Sequence, residues 1–247
     1  MDASQSFEYR DKNFGDTEGI VVATSEEVFV PTSTTTLLLS AVRKAVDPAW
    51  KTALDLGCGS GVVAVVLKKL VLPGARVFAS DISEAAVALA RRNAERHGLA
   101  IDCRAGSLFE PWPGMTFDVI VDDVAGMSEP VARLSRWYPP QIKSDAGEAG
   151  TRWIIPILEQ APRYLTAGGQ VFFPVLTLSD EAGIMRAAEA AFADVELVTE
   201  QWYPLGAELM SHWGVMEDLM ARGMITLQQR GRRWLWATRI YRGTRPA

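Results

Sequence analysis

The sequence predicts a single doubly wound α/β domain, and three observations carry that prediction. Short apolar runs alternate with amphipathic stretches of helical length. A glycine-rich turn joins the first strong run to its helix. The 247 residues, 48% apolar and 22% charged, are enough to bury one large core. Residues 52–56 read as a buried strand, followed by a helix through 62–70. Residues 76–80 form the second strand, after which Ser83 caps a helix running to about His97 and Gly98 closes it. Further strands read at 101–105, 117–121 and 170–175, with a helix near 153–164 between the last two. Runs at 195–199 and 234–241 complete the set. Strands alternating with helices of about 10–15 residues imply a parallel sheet covered on both faces. The polar first 27 residues are expected to be an N-terminal arm, leaving 28–247 as the domain.

Two stretches depart from this alternation. Residues 122–152 form a long segment containing Trp137, Tyr138, Pro139 and Pro140, and such loops often carry ligand sites. Residues 207–224 read as a helical insert before the last strand. Its Leu209, Trp213, Met216, Met220 and Met224 recur at spacings of three and four, giving one apolar face. That face either packs on the core or forms a methionine-rich lid over an organic substrate.

Composition excludes several classes. No uncharged apolar run approaches the ~20 residues of a membrane helix, and the first residues lack the pattern of a signal peptide. Two cysteines, Cys58 and Cys103, build neither a disulfide framework nor a zinc site, so a cytoplasmic protein is expected. Twenty-five basic against thirty acidic side chains give a net charge of −5, a poor match to nucleic acid. Seven arginines and no acid follow Leu219. Around 234–241 they flank a run apolar on both alternating faces, which reads as a buried strand.

The most informative stretch is Asp55-Leu56-Gly57-Cys58-Gly59-Ser60-Gly61, between the first strand and its helix. Its glycines let the backbone turn tightly and approach a ligand at the carboxyl end of the sheet. Val62 breaks the dinucleotide fingerprint, and the absence of a Lys-Ser/Thr pair excludes a nucleoside-triphosphate loop. Asp55 would repel a pyrophosphate but suits an ammonium group. S-adenosylmethionine carries an ammonium and a sulfonium and no phosphate. Asp81, with Ile82 beside it, follows the second strand where a carboxylate accepts the ribose hydroxyls of an adenosine.

With these residues the sequence resembles class I S-adenosylmethionine-dependent methyltransferases, and within them the release-factor glutamine N5-methyltransferases. The similarity runs from about Val28 to Val175. The stretch from Val28 through Thr32 and Ser33 resembles the segment before the glycine loop in those enzymes. Gly106-Ser107-Leu108-Phe109 resembles their adenine-contacting turn, and Gly147-Glu148-Ala149-Gly150 a loop near the active-site mouth. The resemblance implies a Rossmann-like, seven-stranded sheet whose last strand is antiparallel. It implies S-adenosylmethionine contacts from Asp55, Gly57, Cys58, Gly59, Gly61, Asp81, Ile82, Ser107 and Leu108.

The departures from the family pattern are informative. Those enzymes carry Asn-Pro-Pro-Tyr after the fourth strand, where this chain has Asp122-Asp123-Val124-Ala125-Gly126. Asp123 stands in place of the asparagine, and an ionised carboxylate accepts hydrogen bonds but donates none. It cannot reproduce an amide's donor contact to a glutamine carbonyl. Asp123, or its neighbour Asp122, is therefore expected to orient a substrate donor and receive its proton. This favours an amine, hydroxyl or heteroaromatic N–H acceptor on a small molecule. Thr32, Trp137, Tyr138, Glu148, His212 and Trp213 are the candidate substrate contacts, with Trp202 and Tyr203 as further aromatic walls. No metal is expected, because 174–178 lack the Asp-Asn pair of magnesium-dependent relatives. About 27 residues before Val28 are too few for the N-terminal helical domain with which those relatives dock a protein. The alternatives are a protein or peptide N-methyltransferase, and a cofactor-binding protein without transferase activity.

Overall fold

The computed structural model describes residues 6–124, 126–137 and 146–246. The chain runs β1 (Ser6–Tyr9), β2 (Ile20–Ala23), α1 (Ser33–Ala45), β3 (Thr52–Leu56), α2 (Val62–Val66), β4 (Arg76–Asp81), α3 (Glu84–Arg96), β5 (Ile101–Ala105) and β6 (Phe117–Asp122). It continues through α4 (Glu129–Leu134), α5 (Ile154–Tyr164), β7 (Leu165–Leu176), α6 (Glu181–Ala191), β8 (Asp194–Pro204), α7 (Ala207–Met210), α8 (Trp213–Ala221), β9 (Gln228–Arg230) and β10 (Arg233–Thr244).

The main sheet has the order β5-β4-β3-β6-β7-β10-β8, with the short β9 paired to β10. Strands β3 to β7 are parallel, whereas β10 runs antiparallel between β7 and β8. The seven long strands match the expected fold. Period-two alternation divides the sheet between two cores. Ala53, Val77, Ala79, Val119, Val121 and Phe172 face the cluster built with α1, α2 and α3. Leu54, Leu56, Phe78, Ile120, Val171 and Phe173 face the cluster built with α5 and α6.

The order reverses at β3, which pairs with β4 on one side and β6 on the other. Leu56 lies level with both Ser80 and Asp122. The turns that follow these three strands therefore open on one edge of the sheet, the place where α/β folds bind ligands. Helix α2 passes into a single π segment, Leu67–Val71, and α3 begins on Ser83, whose hydroxyl accepts from Ala86 N–H.

The expected N-terminal arm is folded. β1 and β2 pair antiparallel, and Tyr9, Ile20 and Val22 are buried in the α1–α3 core. Asn93 of α3 fixes this hairpin. Its amide donates to Ala23 O (3.0 Å) and Ser60 O (2.8 Å) and accepts from Ala23 N–H (2.9 Å). One fully buried side chain thus ties the hairpin to the glycine loop.

The insert is two short helices, α7 and α8. Leu209, Met216 and Leu219 are buried with Met127, Val131 and Trp236, while Trp213 and Met220 pack against the same group. The apolar face that spacing revealed therefore joins a third core cluster. The arginine-flanked run is the buried strand β10, with Arg239 paired to Glu181 and Glu200 and Arg242 paired to Glu196. No helix among the described residues is long and apolar enough to cross a membrane.

Replacing Asn93 with alanine leaves three backbone groups without their partner, so Asn93→Ala is expected to lower unfolding free energy by about 2–4 kcal/mol. Urea denaturation checks this; a loss below about 1 kcal/mol would mean the hairpin is not held through this amide.

Candidate functional site

A cavity of about 660 Å³ opens at the carboxyl edge of the sheet, within the range of about 300–1,000 Å³ typical of small-ligand sites. The glycine loop forms one wall. Gly57 and Cys58 N–H both donate to Ser80 O at 2.9 Å, and Gly61 N–H donates to Cys58 O at 2.7 Å. Gly57 (φ 73°), Gly59 (φ 50°) and Gly61 (φ 78°) all adopt left-handed conformations that favour glycine. A Cβ on Gly57 would come within 2.6 Å of Val124 Cγ1, and one on Gly61 within 2.9 Å of Ala90 Cα. Glycine is required there to seat the loop between β6 and α3.

Asp81 completes this wall. Its Oδ2 accepts Gly59 N–H (2.9 Å) and its Oδ1 accepts Ser83 N–H (2.9 Å), which fixes the carboxylate at the cavity edge. Each oxygen keeps a second lone pair for a ligand hydroxyl. Ile82, 64% exposed, lines the cavity next to it. Leu108 lines the cavity with φ 50°, the only non-glycine residue with positive φ among the described residues. Ser107 also lines it, but its N–H is taken by Glu110 Oε2 at 3.1 Å.

Asp123 occupies the floor, half-buried. Its Oδ2 accepts from Thr35 Oγ1 at 2.7 Å, while Oδ1 has no hydrogen bond among the described residues. Burial raises its pKa to about 7, against the lowering effect of the Thr35 hydroxyl. Thr35 also accepts Thr32 N–H (3.3 Å), and Thr32 Oγ1 accepts Thr34 N–H (3.2 Å). The capping box that starts α1 therefore also holds the carboxylate. Thr32 and Thr35 both line the cavity.

The far wall is aromatic. Trp137, Tyr203 and Trp236 line it with Met127 and Leu176. The Trp236 ring lies 4.7 Å from Tyr203 and 5.2 Å from Trp137, centroid to centroid. The insert packs against these residues as part of one cluster, so it supports the wall.

Several predicted contacts lie elsewhere. Asp55 follows Ala53 on the α1–α3 face of β3 and is fully buried beneath the loop. Its Oδ2 accepts Ala64 N–H at 2.9 Å, Oδ1 is buried without a partner, and the residue does not line the cavity. Burial pushes its carboxyl well up, and the neighbouring acids add to this. Gly61 sits behind the wall on Ala90. Asp122 lies behind Asp123 with Oδ1 on Val124 N–H (3.1 Å) and Oδ2 buried unpartnered; burial raises it to about 8. Glu148 is drawn to the surface by an ion pair with Arg222. His212 is exposed, and Trp213 packs on Trp234 at 4.7 Å, because the insert turns toward its own cluster. Trp202 lies under Arg230 and Arg239 outside the cavity. Tyr138 falls outside the described residues.

Sequence reasoning missed Thr35, Glu27 and Trp236. A run of hydroxyls at 32–36 marks Thr35 only as a helix start, and its partner Asp123 is 88 residues away. Trp236 was read solely as strand core. Among the described residues no group of three or more His, Cys, Asp or Glu side chains is placed to hold a metal ion.

Buried carboxyls with raised pKa bind protons more readily in the folded state, so the fold weakens across the pH range where they stay protonated in it but are ionised in the unfolded chain. The stability of the free protein is expected to fall from about pH 4, where these carboxyls ionise in the unfolded chain, to about pH 8, above which Asp122 and Asp123 are ionised in the folded chain too. Asp122→Asn should flatten the decline of thermal midpoint with pH; an unchanged profile would show that Asp122 is already ionised near neutrality.

Comparison with known proteins agrees with this arrangement. The Methyltransferase small domain family matches residues 21–123. The release factor glutamine methyltransferase of Geobacter sulfurreducens is 38% identical over 158 residues, covering 61% of this chain and 54% of its own. That of Chlorobaculum tepidum is 30% identical over 208 residues, covering 80% and 69%. The chain spans about half to two-thirds of the length of the curated relatives it matches. A 16S rRNA methyltransferase of T. thermophilus, solved with AdoMet and guanosine, superposes with a TM-score of 0.62 at 16% identity, over 98% of this chain and 50% of that one. Glycine loop, following carboxylate, strand order and these matches agree: the chain belongs to the class I S-adenosylmethionine-dependent methyltransferases, in the family of the release factor glutamine methyltransferases.

Proposed function

We propose that this chain transfers the methyl group of S-adenosylmethionine to an N–H or O–H nucleophile of a small organic molecule. The carrying observation is Asp123: a half-buried carboxylate with one oxygen held by Thr35 and the other without a partner among the described residues, in a cavity also lined by aromatic rings.

The residues present fit the cofactor. The left-handed backbone at Gly59 and the nearest atoms 3.9 Å from its missing Cβ leave room for close approach. Asp81 offers two fixed acceptors to the ribose hydroxyls, and Ile82 and Leu108 offer apolar surface to the adenine. When bound, the cofactor supplies a methyl group already activated on a sulfonium. Asp55 acts beneath the loop, joining β3 to the first turn of α2, and keeps the loop amides in place. The chain has to align the acceptor, exclude water and receive a proton. Asp123 is suited to the last task because its pKa lies close to the working pH. Thr35 fixes which oxygen faces the acceptor.

A second reading keeps a protein acceptor, and the names of the relatives favour it, since they are release factor glutamine methyltransferases. Against it stands Asp123 itself, which supplies no donor to an amide carbonyl when ionised.

Four measurements test this. Calorimetric titration with S-adenosylhomocysteine is expected to show micromolar binding that Asp81→Ala weakens at least about tenfold, as loss of a carboxylate–hydroxyl pair requires. No binding to the parent protein would overturn the cofactor reading. Asp123→Asn should lower kcat by about 10²–10⁴ with cofactor affinity kept. Turnover in the parent should rise with pH through about 7, because only the ionised Asp123 accepts a proton. Labelled-methyl transfer to a panel of amines and phenols, run beside a glutamine-bearing peptide, decides between the two acceptor classes.

A further inference from the structure

The cavity lining is one-sided in charge. Glu27, Asp81 and Asp123 line it, and among the described lining residues there is no Lys, Arg or His. Asp81 is occupied by two backbone amides and lies on the glycine-loop wall. Asp123 faces the space that Trp137, Tyr203 and Trp236 also border. A carboxylate and several aromatic faces in one cavity, with no cationic side chain among the described lining residues, form a receptor for positive charge.

We propose that the methyl acceptor is a small amine, received as its ammonium ion by Asp123 and the aromatic wall of Trp137, Tyr203 and Trp236. This rests on the methyl-transfer reading and narrows its acceptor to one class. Three considerations separate an amine from the other nucleophiles. A phenol or carboxylic acid reacts as its anion, which would meet Asp123 and Glu27 with no compensating side chain among the described lining residues. An amide needs a donor for its carbonyl, and an ionised carboxylate has none. An alcohol is neutral and gains little from ring faces. An alkylamine, by contrast, is cationic at neutral pH, since primary amines have pKa values of about 10. It is drawn in by charge and needs only one group to take its proton.

Asp123 is placed to be that group. The ammonium N–H bond breaks and its proton passes to Asp123. The freed nitrogen lone pair bonds the methyl carbon while the carbon–sulfur pair stays on sulfur. The product amine is again a cation, the thioether is neutral, and Asp123 returns its proton to solvent. Total charge is the same before and after. Burial, which raises Asp123 toward neutrality, makes it a stronger base than a solvated carboxylate, although still far weaker than the amine itself. Deprotonation is therefore an uphill step, eased by burial because a low dielectric favours the neutral amine and carboxylic acid over the ion pair.

The test uses binding, so it does not depend on turnover. The protein is saturated with S-adenosylhomocysteine and titrated with benzylamine, benzyl alcohol and benzoate, three probes on one skeleton that differ in charge. Benzylamine is expected to bind at least about tenfold more tightly than either of the others. Asp123→Asn and Trp236→Ala should each weaken benzylamine at least about fivefold. Trp236→Phe, which keeps a ring face in the core position, should restore most of that loss. Affinity for S-adenosylhomocysteine reports in each variant whether the fold is intact. Benzyl alcohol or benzoate binding as well as benzylamine would overturn the amine assignment and leave the methyl-transfer reading standing. So would failure of benzylamine to bind at about 10 mM, or its indifference to Asp123→Asn. Failure of the parent to bind S-adenosylhomocysteine would remove both.

Discussion

The alignment of three parallel strand ends governs the rest of this molecule. Because Leu56, Ser80 and Asp122 lie level, a single carbonyl, that of Ser80, accepts two amides of the glycine loop. Asp81, one residue further, accepts a third. The loop is thus held from the neighbouring strand rather than by its own short sequence. A change in register by one residue would exchange the faces of β4 and send Asp81 to the wrong side. The backbone ladder that stabilises the fold is also what aims the cofactor groups.

This alignment has an electrostatic cost. It brings Asp55, Asp81, Asp122 and Asp123 to one end of the sheet, and the buried members have carboxyls raised chiefly by burial, with like charge adding to Asp55 and Asp122. Asp55 and Asp122 each keep one oxygen with no partner. Such an arrangement does not favour an empty, ionised site. It favours a ligand that brings positive charge, and a sulfonium cofactor meets that requirement as an anionic dinucleotide would not. The same field reaches the acceptor end of the cavity through Asp123.

Much of the fold was legible because its signals are local. Strands β3, β4 and β6 carry apolar residues on both faces, and Ser83 and Gly98 punctuate α3 in ways that short-range chemistry dictates. The place of Asp81 at the cavity edge was legible for the same reason: it ends a strand. The N-terminal hairpin was not, since only Tyr9, Ile20 and Val22 are buried and their hold depends on Asn93, 70 residues away. The place of Asp55 before the glycines suits a ligand contact, but its strand parity decides otherwise. Sharing a face with Ala53 sends it under α2. Glu148 and His212 were chosen for their chemistry, which says nothing of direction.

The insert shows how a periodic signal can be correct while its function stays hidden. Leu209, Met216 and Leu219 do form one face, yet what they cover is settled by β10, which runs antiparallel and so brings its first residues to the ligand edge. Trp236 then stands opposite Tyr203, and the insert packs behind both. An antiparallel strand in an otherwise parallel sheet is what allows a wall of side chains from a chain end to meet loops from the chain's beginning. Thr35 makes the complementary link, since α1 reaches across to fix Asp123 at 2.7 Å. The cavity lining is therefore assembled on one side from segments around 35, 123, 137, 203 and 236, and on the other largely from 56–108. The two halves of the cavity come from different segments, so substitutions in one need not disturb the other.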